Sequence, residues 1–178
     1  MGYEFATAEE VLIPRPETEL LVEEACRIAE NWKNTPDGRK RRVLDLCCGS
    51  GCIGISFSKL RHGRDLVELA DISDAAIALT KKNRERLQAD CMVIQTDLFA
   101  QIEEKYDMII SNPPYIRTDE IPKLMCVILS RIWHLTEKRM DCIFMIRLFG
   151  KRGSISMKMD IFCLKSDRIS WTLFGDSL

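Results

Sequence analysis

Asn112-Pro113-Pro114-Tyr115 follows an apolar, strand-like run from Tyr106 to Ser111. An Asn carbonyl beside two prolines that lack N–H groups makes a stiff turn rich in hydrogen-bond acceptors, with an aromatic face at its end. Such a corner suits a planar –NH2 group. The Asn112 side-chain oxygen and the Pro113 carbonyl accept its two protons, while Tyr115 stacks on its plane. The nitrogen lone pair, otherwise delocalised, is then steered toward an electrophile. The structural alternative is a proline turn that closes a buried strand.

A second motif names the electrophile. Gly49-x-Gly51-x-x-Gly54 stands between a strand-like and a helix-like stretch, and Asp71 lies twenty residues past Gly51. Taken literally this is the dinucleotide fingerprint, with glycines for close backbone approach and an acid for a ribose. Methyl donors of the S-adenosylmethionine type use the same crevice, with Asp45 toward the methionine end and Asp71 at the ribose. No residue pattern speaks for a hydride-acceptor site, whereas the Asn112 turn gives a methyl donor its acceptor nitrogen. In-line displacement at a sulfonium needs no strong base, so alignment and desolvated electrostatics carry most of the acceleration. A tight turn in an α/β core with no ligand is the third reading. Asp97-Leu98-Phe99 follows another strand at the carboxyl edge, where Asp97 would accept from an adenine amine; an Asx turn or helix cap is its alternative.

These motifs need a sheet to hold them. Residues 16–32 read as an amphipathic helix, with Leu20, Leu21, Ala25, Ile28 and Ala29 at helical spacing and Glu17, Glu19, Glu23 and Glu24 in the first turns. Pro36-Asp37-Gly38 breaks the chain. Strands are predicted at Arg42–Leu46, Leu66–Ala70, Met92–Ile94 and Met108–Ile110. Helices are predicted at Ile53–Leu60 and at Ser73–Leu87, the latter with Ser73 as N-cap. Strands alternating with helices at this spacing imply βαβ units, a parallel sheet and a Rossmann-like α/β fold.

Composition narrows the class. The chain has 178 residues, about the size of one domain, and a net charge of −1 that argues against a nucleic-acid coat or a polybasic membrane anchor. There is no run of 18 apolar residues, no signal-peptide pattern at the start, and Ala6 stands where a myristoylation signal wants Ser or Thr. The eight cysteines contain no Cys-x-x-Cys and have only His62 and His134 beside them, so no metal site is expected. Reduced thiols in a cytoplasmic protein are the simpler account.

Past Met125 the character changes. Residues 1–116 carry 15 Lys plus Arg against 20 Asp plus Glu, and 117–178 carry 11 against 7. The apolar residues there keep neither a period of 2 nor one of 3.6. The chain therefore reads as a core over 1–125 and an aberrant tail over 126–178.

Three stretches together carry a family resemblance: Val11-Leu12-Ile13-Pro14-Arg15-Pro16-Glu17-Thr18-Glu19, Leu44-Asp45-Leu46-Cys47-Cys48-Gly49-Ser50-Gly51-Cys52-Ile53, and Ser111-Asn112-Pro113-Pro114-Tyr115-Ile116. The chain resembles the release-factor glutamine methyltransferases over about residues 3–125. The Pro-Arg-Pro-Glu-Thr-Glu element is the specific part, because the Asn-Pro-Pro-Tyr turn also occurs in adenine and guanine amino-methyltransferases. The resemblance implies a class I fold using S-adenosylmethionine, and transfer to the side-chain amide nitrogen of the glutamine in the Gly-Gly-Gln loop of peptide chain release factors. It implies that Cys47, Cys48, Gly49, Ser50, Gly51, Asp71 and Leu98 line the donor. Asn112, Pro113, Pro114 and Tyr115 would hold the glutamine, with Asn112 also bordering the donor. Cys47 replaces a glycine more usual in the family, and its small side chain is expected to fit. The helical domain that usually precedes this point and helps dock the release factor has no counterpart in the sequence.

The tail departs from the family, and the genetic code suggests why. With codons started at the third base and wobble bases chosen freely, Ser130–Asp141 yields Glu-Pro-Asp-Met-Ala-Phe-Asp-Gly-Lys-Glu-Asp-Gly. The same phase over Met159–Asp167 yields Gly-Tyr-Phe-Leu-Phe-Glu-Ile-Gly. Both resemble what the family carries after its Asn-Pro-Pro-Tyr turn, so a frameshift near Met125 is expected. The sheet would then lack its later strands and leave the fourth as an exposed edge. The tail would pack through Ile143-Phe144-Met145, Ile161-Phe162 or Trp171-Thr172-Leu173-Phe174. Two other functions stay open: an amino-methyltransferase acting on DNA or RNA, against which the near-neutral charge weighs, and a fragment that binds the donor without turnover.

Overall fold

A computed structural model describes residues 1–32, 35 and 37–112, together with the backbone of three strands farther on, 142–147, 159–165 and 168–174. Four parallel strands form the central sheet: β1 (Arg42–Leu46), β2 (Leu66–Asp71), β3 (Met92–Gln95) and β4 (Met108–Ser111), in the order β3-β2-β1-β4. Three helices accompany them: α1 (Glu17–Glu30), α2 (Cys52–Arg61) and α3 (Asp74–Arg86). β1, β2 and β4 are short runs buried on both faces, whereas the edge strand β3 is half-exposed, with Met92 open to solvent.

One core joins α1, α2 and a face of the sheet through Leu21, Val22, Ala25, Phe57, Val43, Leu69 and Met108. The stripe that α1 buries is Leu21, Val22, Ala25 and Ala29; Leu20, expected on it, is 52% exposed. Adjacent residues on a helix differ by about 100°, so a pattern containing both Leu20 and Leu21 leaves the choice of stripe to the neighbours. Ser73 caps α3 as expected, its hydroxyl accepting from the Ala76 N–H at 3.4 Å.

The strands bring charge inside as well. Glu68 of β2 is buried between Arg42, which donates to it at 2.5 Å, and the Tyr106 hydroxyl, while the Arg42 guanidinium lies 5.5 Å from the Tyr106 ring centroid. Satisfied on both oxygens, the carboxylate staples β1, β2 and the approach to β4.

Strands β5 (Cys142–Arg147), β6 (Met159–Lys165) and β7 (Arg168–Phe174) form a separate antiparallel sheet in the order β5-β6-β7. The three apolar segments expected to pack in the tail all fall on these strands. β4 ends the parallel ladder as expected, but it is not exposed, for all four of its side chains are buried.

Candidate functional site

The carboxyl ends of the parallel strands meet around one bend. β1 ends at Leu46, residues 47–51 turn, and α2 begins at Cys52. Gly51 holds φ +77°, and a Cβ there would meet Ile55 Cδ1 and Thr80 Cγ2 at 2.9 Å, so neither the turn nor its packing admits a side chain. A Cβ on Gly54 would come within 2.7 Å of Leu69 Cγ and 3.0 Å of Asp45. Gly49 differs: a Cβ there would meet only Val11 Cγ1 at 3.7 Å, which leaves its face open for a ligand.

Two carboxylates organise this bend. Asp45 is fully buried; its Oδ2 accepts from the Gly54 N–H at 2.8 Å and its Oδ1 has no partner. Burial pushes its carboxyl up to about 7, the Gly54 bond acts against this, and the charge of Asp71 adds to it. Asp71, at the end of β2, accepts from the Gly49 N–H at 2.9 Å and the Ser73 N–H at 3.0 Å. The Asp71 carbonyl accepts from the Thr96 N–H at 2.9 Å, which ties in the segment carrying Asp97 and Leu98. Asp97 is exposed, and its carbonyl accepts from the Ala100 N–H at 2.9 Å; Leu98 is half-buried with φ +48°.

The Cys47 thiol registers how these groups converge. Burial pushes it up to about 12, the charges of Asp71 and Asp45 push further, a hydrogen bond with Ser111 opposes them, and Asp97 adds a smaller push. Residues from the ends of all four strands thus act on one sulfur, and every charge among them is a carboxylate. Cys47 itself holds φ +60°. The cost of the glycine replacement is therefore in the backbone rather than in space, about 1 kcal/mol for a non-glycine residue in the left-handed region. Cys48 is buried, its Sγ 3.5 Å from Thr80 Oγ1, and burial above all raises its thiol too. Among the described residues the cysteines at 26, 47, 48, 52 and 91 are free, and no group of His, Cys, Asp and Glu could hold a metal ion.

β4 brings Asn112 alongside. Ser111 donates its hydroxyl to the Leu46 carbonyl at 2.7 Å, and the parallel register pairs Leu46 with Ser111. Asn112, half-exposed, is therefore the next residue past the ladder, abreast of Cys47. Pro113, Pro114 and Tyr115 lie outside the described residues, so no geometry is assigned to the rest of that turn.

Two residues that the motifs did not reveal hold the bend from α3. The Thr80 hydroxyl donates to the Gly49 carbonyl at 2.9 Å. Asn83 donates to the Ser50 carbonyl at 2.9 Å and the Ala6 carbonyl at 3.2 Å, and accepts from the Ala6 N–H at 2.8 Å. Their signal in the sequence is two polar side chains on the stripe that also carries Ala76 and Leu79, both fully buried in the structure.

Comparison with known proteins agrees with this architecture. Residues 22–134 match the family model described as methyltransferase small domain. The chain is 44% identical over 133 residues to the release factor glutamine methyltransferase of Clostridium acetobutylicum, which covers 70% of this chain and 43% of that protein. It is 44% identical over 124 residues to the protein of the same name from Borreliella burgdorferi, covering 68% of this chain and 40% of that one. The chain thus spans less than half the length of these relatives. In fold it is similar to human methyltransferase 10 domain containing protein (TM-score 0.58, 19% identity, 84% of this chain and 72% of that one). It is likewise similar to the N-terminal domain of human METTL16 solved in complex with SAH (TM-score 0.54, 20% identity, 84% and 62%). Its Rossmann-like sheet, the glycine bend and a family match over most of its length make this chain a member of the methyltransferase small domain family.

Proposed function

We propose that this chain carries the catalytic site of a release-factor glutamine methyltransferase, moving a methyl group from S-adenosylmethionine to the side-chain amide nitrogen of the glutamine in the Gly-Gly-Gln loop. The observation that carries the reading is the pairing of β1 with β4 through Ser111 and Leu46, which brings Asn112 up to the bend.

The lining of the bend supports a cationic donor over a dinucleotide. A pyrophosphate would draw on the first N–H groups of α2, and one of these, that of Gly54, is taken by the Asp45 carboxylate. The charges acting on Cys47 are carboxylates, which attract a sulfonium and an ammonium and repel phosphate. Asp45, with an unpartnered oxygen, would draw the ammonium end; Asp71 would take the ribose, Asp97 and Leu98 the adenine. Cys47, Cys48, Gly49, Ser50 and Gly51 would border the donor from below. When bound, S-adenosylmethionine supplies the transferable methyl group. Asn112, with Pro113, would accept the two amide protons and fix the nitrogen, Tyr115 would stack on the amide plane, and Pro114 would stiffen the corner. Release factors as partners, a cytoplasmic setting, and a core at 1–125 followed by a frameshifted tail belong to the same proposal. No helix among the described residues is long and apolar enough to cross a membrane.

Methyl transfer assayed on release factor, on DNA and on RNA tests the reading. Transfer to release factor is expected. Transfer only to nucleic acid would replace it with the amino-methyltransferase alternative, and donor binding with no transfer would leave a binding fragment.

A further inference from the structure

We propose that a basic cleft at the amino-terminal pole of the parallel sheet is a second ligand site, one that takes a phosphoryl anion such as pyrophosphate or the phosphate end of a nucleotide. The cleft encloses about 650 Å³, and Trp32, Arg39, Lys40, Arg41, Arg61 and Arg64 stand in its wall. That is within the usual range of small-molecule sites, roughly 300–1,000 Å³. It lies at the far pole from the donor bend. Arg42 opens β1 and Leu66 opens β2, whereas Cys47 and Asp71 stand at or beyond the other ends of those strands. A five-residue strand spans about 15 Å, so one small ligand cannot serve both places.

Cations outnumber carboxylates in the cleft. Among the described residues its wall carries five cationic side chains and two acidic ones, Glu30 and Asp65. Asp65 is committed to Arg61, at 2.6 Å. Arg39 and Arg41 both reach the Asp107 carboxylate at 2.7 Å, which also accepts from the Arg42 N–H at 2.9 Å, and Arg39 lies 3.7 Å from Asp37 as well. Lys40 and Arg64 are exposed on the same rim. The chain as a whole carries −1, so this concentration of positive charge is local.

The donor groups are also of the right kind. Guanidinium forks present paired N–H groups that match the oxygens of a phosphate, and an ammonium adds a point charge. The Arg41 guanidinium lies 5.6 Å from the centroid of the Trp32 ring, which holds its head in place. Arg39 and Arg41 are held by Asp107 and Arg61 by Asp65, so three of the five cations are ordered before a ligand arrives.

Calorimetric titration of the full chain with pyrophosphate, and separately with ATP, tests the site. Lys40→Glu/Arg64→Glu alters the cleft at two exposed positions, and Lys81→Glu/Lys82→Glu makes the same charge change on exposed α3. Expected is saturable binding that weakens at least tenfold in the cleft variant and less than twofold in the α3 variant, with S-adenosylhomocysteine binding unchanged in both. Tighter binding of ATP identifies a nucleotide as the source of the phosphate, and tighter binding of pyrophosphate a free polyphosphate. No binding of either anion, or equal weakening in both variants, overturns the proposal. Circular dichroism confirms folding, and Arg64→Gln replaces the double variant should that one not fold.

Discussion

The Ser111 hydroxyl and the Leu46 carbonyl meet at 2.7 Å on the last rung shared by β4 and β1. The rung brings Asn112, the next residue of the chain, level with Cys47 at the start of the glycine bend. Asn112→Ala leaves this rung intact. We expect turnover on release factor to fall at least a hundredfold, about 2.7 kcal/mol of barrier, with donor affinity kept within a few-fold. Single-turnover kinetics and calorimetry on one preparation separate the two, and equal loss of both would mark Asn112 as structural.

With Asp45 at the donor's ammonium end, as proposed, donor binding should depend on pH. Its carboxyl is raised from 3.8 to about 7 in the fold, chiefly by burial. The folded protein therefore holds this proton over a range where the unfolded chain has released it. The group's contribution to stability falls as pH rises from about 4 to about 7 and is level above that. A cationic donor end prefers the ionised form, so affinity should rise over the upper part of this window, by up to about tenfold per pH unit. S-adenosylhomocysteine titrated from pH 5.5 to 8.5 reads the slope. Asp45→Asn should bind more weakly at pH 8 and flatten the profile; an equally steep profile in the variant would assign the proton elsewhere.

Gly51→Ala combines a left-handed backbone with a Cβ 2.9 Å from both Ile55 and Thr80. We expect a loss of about 2–4 kcal/mol, read as a shift of the urea midpoint with unchanged slope. A loss under 1 kcal/mol would mean that α3 can retreat from the bend.

Asp107→Ala removes the carboxylate shared by Arg39 and Arg41. Burial raises the Asp107 carboxyl, but the bonds from Arg39, the Arg42 N–H and Arg41 outweigh this and hold it below the usual range. Its stabilisation is therefore present at neutral pH and lost as pH falls below about 4. The variant should lose about 2–3 kcal/mol at pH 7 and much less at pH 3, measured by chemical denaturation. An equal loss at both values would point to packing rather than charge.

Much of the fold was legible because its strands are short, largely apolar runs that give way to polar or glycine-bearing turns, and because Ser73 announces the start of α3. Other features were hidden by distance along the chain. Glu68 reads as a lone charge in a strand, since its partners Arg42 and Tyr106 lie 26 and 38 residues away. Leu20 and Leu21 are equivalent to a periodicity, and only α2 and the sheet decide between them. The left-handed backbone of Cys47 could not be read from its side chain's size. At the site, the glycines and both aspartates announced themselves by spacing, while Thr80 and Asn83 look like ordinary helix polarity until the fold buries them.

The tail poses a question that nucleotides answer. Sequencing the gene around Met125 is expected to reveal a family-like continuation in another phase; a continuous in-phase reading without one would end that idea.

Asn83 clasps residue 6 with two bonds and residue 50 with a third. The leading arm of the chain is thereby a strap buckled to the glycine bend, and trimming it should slacken that bend although Ala6 lies about forty residues ahead of it.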